Sequence, residues 1–266
     1  MLQSLKNLSI LYYWLFPKLF GIGYNENKIR QIKKKIKKIP IKQNHYLDER
    51  IIEIPWIINE LNSHYEKKIL DAGCTLNYKY LIDEILKNKN KITFVNLYPE
   101  KFVDKRNSVS YVSSDIAKLN IKDEDYNVVS CISVLEHLGF NNEIYDTSGN
   151  KNPNFTANKS LYLSGIKEIK RVLKKNGTLY LTIPYGKRAT FDNIQQFDDK
   201  DIDKIIDIFQ PGSCSILYYK YFDKEKRWNK VTSEACKDVL PIIQDNKNTV
   251  ISANSIALLT LHKFKN

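Results

Sequence analysis

The sequence predicts an α/β fold: a mostly parallel sheet of seven strands with helices on both faces, an antiparallel C-terminal hairpin and an N-terminal helical extension. Three observations carry this. From residue 51 onward, short β-rich apolar runs alternate with stretches of helical apolar spacing, the pattern of successive βαβ units. The run YNVVSCISVL (126–135) is almost continuously apolar, as a central strand covered on both faces must be. Two β-rich runs, SCSILYYKYF (213–222) and SIALLTLHKF (255–264), follow after the alternation ends.

The elements come in order. RIIEIPWIINELNSHY (50–65) reads as a helix with Pro55 near its start, and KKILDAG (67–73) as a short strand ending in glycine. YKYLIDEILKNK (78–89) places Leu81, Ile82, Ile85 and Leu86 on one helical face. KITFVNL (91–97) and VSYVSSD (109–115) are the next two strands. After the central run, LYLSGIKEIKRVLKKNG (161–177) is an amphipathic helix with Gly177 at the position of a terminating C′ glycine, followed by strand TLYLTIP (178–184). DDKDIDKIIDIF (198–209) opens with acids, which suits a helix N-terminus, and a polar helix-like stretch separates the last two strands. The stretch 141–160 is rich in Asn, Ser, Thr and Gly and directly follows a strand end, where α/β proteins place ligand loops.

The chain divides into an extension, 1–50, and one domain, 51–266. The net charge of +12 suggests a nucleic-acid partner, but its distribution argues against one. Residues 1–50 hold eleven basic and three acidic side chains, so most of the excess lies there. Only six of the 42 basic residues are Arg, the usual reader of bases and phosphates. The four cysteines, Cys74, Cys131, Cys214 and Cys236, form no CxxC pair and lie near no histidine cluster. They indicate neither zinc nor disulfides, so no metal is expected, and they fit a reducing cytoplasm.

In the extension, the stretch from Leu8 to Tyr24 is apolar and aromatic but interrupted at Pro17 and Lys18. It is short of the roughly 20 residues needed to span a bilayer. A lysine-rich run follows, with Ile29, Ile32, Ile36 and Ile39 forming one helical stripe. Two readings stand. Residues 8–42 make peripheral contact with an anionic membrane, at its inner face, or the apolar residues pack on the domain and the lysines are solvated.

Open α/β sheets bind ligands beyond the carboxyl ends of their strands. The residues there are Asp71-Ala72-Gly73-Cys74-Thr75-Leu76-Asn77, then Asn96-Leu97-Tyr98-Pro99-Glu100, Asp115-Ile116, Leu135-Glu136-His137-Leu138-Gly139, and Pro184-Tyr185-Gly186-Lys187-Arg188. Taken together, ILDAGC, VSSDIAKL, VVSCISVLEHLG and IKRVLKKNGTLYLTIPYGK resemble, in order and spacing, the motif set of class I S-adenosylmethionine-dependent methyltransferases. The likeness covers about residues 65–190. The EH and PYG pairings are similar to small-molecule methyltransferases, including those of bacterial glycan gene clusters.

The resemblance implies a Rossmann-like fold, S-adenosyl-L-methionine as cofactor, and a small-molecule or lipid-linked glycan acceptor such as a sugar hydroxyl. It implies that Asp71, Gly73 and Cys74 form the loop against the cofactor's methionine part, and that Asn96 meets its ribose. Asp115 and Ile116 would receive the adenine, and Glu136 and His137 would border methyl transfer. His137 acts there as general base or only orients the site. Tyr185, Lys187 and Arg188, joined by Arg227 and Trp228, stand where an acceptor would enter, or are plain surface residues. The chain departs from the family at two places. Thr75 and Asn77 replace loop glycines, and Asn96 replaces the ribose-binding acid, for which Glu100 is the available substitute.

Other functions fit less well. GCTLN lacks the GxGxxG of a nicotinamide-dependent dehydrogenase. The Asn/Asp-Pro-Pro-aromatic motif of amino-methylating nucleic-acid enzymes is replaced by Leu-Glu-His, so a nucleic-acid substrate is not expected. A non-catalytic methyltransferase-like scaffold at a membrane-bound glycan assembly remains the alternative to an enzyme.

Overall fold

The computed structural model describes residues 23–36, 48–100, 102–141, 156–244 and 248–264, with the side chains of 23–29 left aside. The apolar stretch 8–22, residues 37–39 of the isoleucine stripe and residues 142–155 of the Asn-rich patch therefore lie outside the described residues. Among the described residues the helices are α1 (Gly23–Ile36), α2 (Arg50–Leu61), α3 (Lys79–Leu86), α4 (Leu161–Val172) and α5 (Asp199–Phe209). The strands are β1 (Lys68–Ala72), β2 (Lys91–Asn96), β3 (Val109–Ser113), β4 (Tyr126–Ile132), β5 (Leu173–Pro184), β6 (Ala189–Thr190), β7 (Gln195–Gln196), β8 (Pro211–Phe222), β9 (Arg227–Val231), β10 (Ile242–Ile243), β11 (Val250–Ser252) and β12 (Ser255–Lys263).

The main sheet has the order β3-β2-β1-β4-β5-β12-β8-β9. The first five strands in that order are parallel, and β12, β8 and β9 are each antiparallel to their neighbours. This is the Rossmann-like arrangement expected, with the chain reversing its direction of travel across the sheet between β1 and β4. Alternate residues of the central strands serve opposite faces. Ile69, Val128 and Ile132 join the core under α2 and α3, while Leu70, Val129 and Cys131 join the core under α4 and α5. Both faces are apolar, which is why β4 reads as a continuous run rather than an alternation.

The structure departs from expectation at two elements. The sheet has eight strands, because the polar stretch after β8 opens with a strand and keeps only one helical turn, Glu234–Cys236: β9 forms a hairpin with β8 and buries Trp228 against Tyr221, with ring centroids 5.8 Å apart. The second departure concerns Gly177. Helix α4 ends at Val172, and the left-handed residue before the straight part of β5 is Asn176, at φ +59°. A Cβ on Gly177 would come within 2.6 Å of Leu173 Cγ and 2.8 Å of the Lys174 carbonyl, so close backbone approach, not helix termination, requires glycine there.

The acids opening α5 cap it: Asp198 accepts from the Asp201 amide at 3.1 Å and completes a capping box. In α1, Ile32 is buried in the same core cluster as α2, and Ile36 packs against that cluster. No helix among the described residues is long and apolar enough to cross a membrane.

Candidate functional site

The site is built at the carboxyl ends of β1, β2 and β4, where the loops diverge around the switch point. Two non-glycine residues there, Cys74 and Ser133, have positive φ (+60° and +49°), and Gly73 between β1 and Cys74 has φ +104°. Asp71, fully buried at the end of β1, accepts from Ser130 Oγ and from the Leu76 amide, both at 2.8 Å. The second bond pulls the following loop back onto the strand. Burial pushes the Asp71 carboxyl up to about 6. Gly73 donates to the Val95 carbonyl at 2.8 Å, and a Cβ there would meet Val134 Cγ2 at 2.2 Å. Only glycine lets the loop cross this close to the end of β4.

The side chains that replace loop glycines are turned inward. Thr75 Oγ1 donates to the Ile132 carbonyl at 3.0 Å. Asn77 is buried, donates to Glu100 Oε2 at 3.0 Å and to the Phe102 carbonyl at 2.9 Å, and accepts from Tyr111 Oη at 2.8 Å. At the end of β2, Asn96 donates to Glu100 Oε1 at 2.5 Å. Two amides thus hold the half-buried Glu100 carboxylate between the β1 loop and β2. Cys74 is half-buried in the same loop, its thiol pushed up by burial and by the charges of Asp71 and Glu100. Exposed Leu97 lies just beyond β2. Exposed Asp115 caps a short turn, accepting from the Ala117 amide at 2.8 Å, and Ile116 is buried beneath it.

After β4 the chain turns through Leu135–His137. Glu136 is 3% exposed, and its Oε2 has no hydrogen-bond partner among the described residues. Burial first, then the charges of Glu53 and Glu49, raise its carboxyl well above the usual range. His137 Nδ1 lies 3.1 Å from the Asn193 carbonyl, which only accepts, so Nδ1 carries the proton of that contact. Burial lowers the ring to about 4. Asn193 is itself clamped, donating to the Val250 carbonyl at 3.1 Å and accepting from the Val250 amide at 2.9 Å. This joins the β6–β7 loop to β11 beside the site.

Sequence reasoning missed a set of charges from α2. Glu53, fully buried, accepts from Ser133 Oγ at 2.5 Å, Thr182 Oγ1 at 2.6 Å and Arg50 Nη1 at 2.6 Å. Arg50 also donates to the Ile132 carbonyl at 3.3 Å. Glu49 accepts from Ser252 Oγ at 2.6 Å and the Ala253 amide at 3.2 Å, and burial raises it to about 7. The visible signal was Glu53 standing among the isoleucines of RIIEIPWIINEL.

The expected acceptor residues do not all gather at this site. Tyr185 is buried, its hydroxyl bonded to Asp199 at 2.5 Å and its ring 4.8 Å from that of Tyr218. Arg188 is paired with Asp201 and donates to Gln195 at 3.1 Å, while Lys187 is exposed. Arg227 pairs with Glu225, and Trp228 is buried on β9. That strand stands four positions from β4, a lateral step of about 19 Å at normal strand spacing. No group of three or more His, Cys, Asp or Glu among the described residues is placed to hold a metal ion.

No family model and no curated protein matches the sequence. Solved structures do resemble the fold. The [4+2]-cyclase SpnF superposes with a TM-score of 0.48 at 13% identity, covering 92% of this chain and 95% of that one. The N-methyltransferase NodS from Bradyrhizobium japonicum, in complex with S-adenosylhomocysteine, gives 0.47 at 10% identity, covering 89% and 98%. The 1,6-didemethyltoxoflavin-N1-methyltransferase of Burkholderia thailandensis gives 0.45 at 12%, covering 78% and 76%.

Proposed function

We propose that this chain is a methyltransferase that uses S-adenosyl-L-methionine and acts on a small-molecule acceptor. The β1 loop carries the reading. Asp71 fixes it, Gly73 lets it pass β4, and Thr75 and Asn77 spend their polar groups inside the loop rather than projecting outward. The residues present therefore fit the cofactor despite the missing glycines. Gly73 and Cys74 would hold its methionine part. Glu100, rather than Asn96, would accept from its ribose hydroxyls, with Asn96 and Asn77 steering the carboxylate. Asp115, with Ile116 beneath it and exposed Leu97 close in space beyond the paired ends of β2 and β3, where Ser113 Oγ donates to the Leu97 carbonyl at 3.3 Å, offers an acceptor and apolar surface suited to a purine.

When bound, the cofactor supplies an electrophilic methyl group on a sulfonium. The chain has to orient the acceptor and take up its proton. His137 is suited to this, because its Nδ1 proton is committed to Asn193 and the neutral ring carries its lone pair on Nε2.

Within this reading the acceptor is a sugar hydroxyl of cell-surface polysaccharide biosynthesis, free or lipid-linked, and the enzyme works in the cytoplasm. The EH and PYG motifs and the exposed Lys187 support that acceptor. Contact with the anionic inner face of the membrane through residues 8–42 is part of the same reading, supported by the lysines of α1. The cofactor assignment is tested by Glu100→Gln. Loss of a charge-assisted pair of hydrogen bonds is expected to weaken S-adenosylhomocysteine binding about tenfold in calorimetry. Unchanged affinity would remove Glu100 from the ribose site.

A further inference from the structure

We propose that the acceptor carries an amine, as an amino sugar does, and that its ammonium group seats against the buried Glu136 carboxylate at the end of β4. The word acceptor rests on the methyl-transfer reading; the amine site rests on the charges assembled there.

Four carboxyls, Asp48, Glu49, Glu53 and Glu136, act on the guanidinium of Arg50, and Asp48 accepts from the Arg50 amide at 3.2 Å. Glu53 takes that cation directly and fills its remaining capacity with Ser133 and Thr182. Glu49 is engaged by β11 through Ser252 and by the Ala253 amide. Glu136 alone keeps a buried oxygen with no partner among the described residues. An unpartnered buried carboxyl is costly, and such groups in native proteins ask for an explanation. A neutral hydroxyl would satisfy one oxygen. It would not offset the charge of an ionised Glu136 in a cluster where, among the described residues, Arg50 faces four carboxyls, whereas an ammonium would do both.

Among the described residues, Cys131 and His137 beside Glu136 add no positive charge. Burial pushes the Cys131 thiol up, so it stays protonated, and His137 is neutral above about 4. Burial and the neighbouring Glu53 and Glu49, opposed by Arg50, raise the Glu136 carboxyl well above its usual range and so favour its protonated form before the amine binds. When the amine binds, Glu136 gives its proton to solvent and the resulting carboxylate pairs with the ammonium, so one proton is released per site. A paired ammonium has no lone pair. The nucleophile is then a neighbouring hydroxyl, whose proton passes to His137.

The test is calorimetry on the full chain near neutral pH, with glucosamine and glucose as probes, with and without saturating S-adenosylhomocysteine, in two buffers of different ionisation enthalpy. Glucosamine is expected to bind at least about tenfold more tightly than glucose, with close to one proton released, and Glu136→Gln to erase the preference. Equal binding of the two sugars, no proton release, or a preference that survives Glu136→Gln overturns the proposal. So does a Glu136→Gln variant whose main defect is in S-adenosylhomocysteine affinity, since the carboxylate would then serve the cofactor's ammonium. Proton release by the wild-type chain decides the matter even where the variant folds poorly. A Glu136-dependent glucosamine preference without S-adenosylhomocysteine binding keeps the amine site and removes the methyl-transfer reading; the reverse result does the opposite.

Discussion

His137 is held neutral by burial, at about 4 against an ordinary 6.5, and is oriented through Asn193. A folded value below the unfolded one means the neutral ring contributes stability above pH 6.5. That contribution is lost as pH falls through 4. An NMR titration of the His137 ring should show its midpoint near 4, and a midpoint near 6.5 would contradict the burial described here. Glu53 makes a second residue-scale test. Glu53→Ala strands Arg50 in a largely buried position and should cost about 3 kcal/mol in urea unfolding. A loss below about 1 kcal/mol would show the pair to be solvated. Some of this scale was legible in sequence. Asp71, Gly73, Asp115 and Glu136-His137 stand directly after strand-like runs, so topology alone carries them to one edge of the sheet. Glu53 and Arg50 were not legible, because Glu53 meets Ser133 and Thr182 from 80 and 129 residues away. Nor was the burial of Tyr185, which depends on Tyr218 and Asp199 packing around it.

Among the elements, α1 bears on both readings of the extension. Ile32 is 3% exposed and Ile36 packs against the same core cluster, so these two positions of the stripe are turned to the domain. Lys33 remains exposed, its ammonium 4.9 Å from the Tyr80 ring centroid, while burial lowers Lys35 to about 8. The membrane proposal therefore rests on the outer lysines and the apolar stretch before α1. Vesicles containing anionic lipid should sediment the full chain at low salt. Replacing Lys33, Lys34, Lys37 and Lys38 with Gln should reduce the bound fraction several-fold, at about 1 kcal/mol per surface charge, while Lys35 is left in place. Equal sedimentation of the two forms would rule out electrostatic contact. The strands and helices of the βαβ region were readable because apolar period and chain direction agree there. β9 was not, because RWNKV buries one large side chain, Trp228, and its pairing with β8 outweighs the polar composition around it.

At the scale of the whole molecule, the switch point between β1 and β4 and the hydrogen bonds Asn193–Val250 and Ser252–Glu49 bring residues from distant segments to one edge of the sheet. The sequence showed where that edge lies. It did not show these bonds, which join residues 57 and 203 positions apart in the chain. In the proposed function this edge holds S-adenosylmethionine without the usual glycines. Calorimetric titration of the full chain with S-adenosylhomocysteine tests it most directly. One site per chain with a micromolar dissociation constant, roughly −8 kcal/mol, is expected. No heat of binding at millimolar ligand would contradict it and leave a non-catalytic module of the same fold.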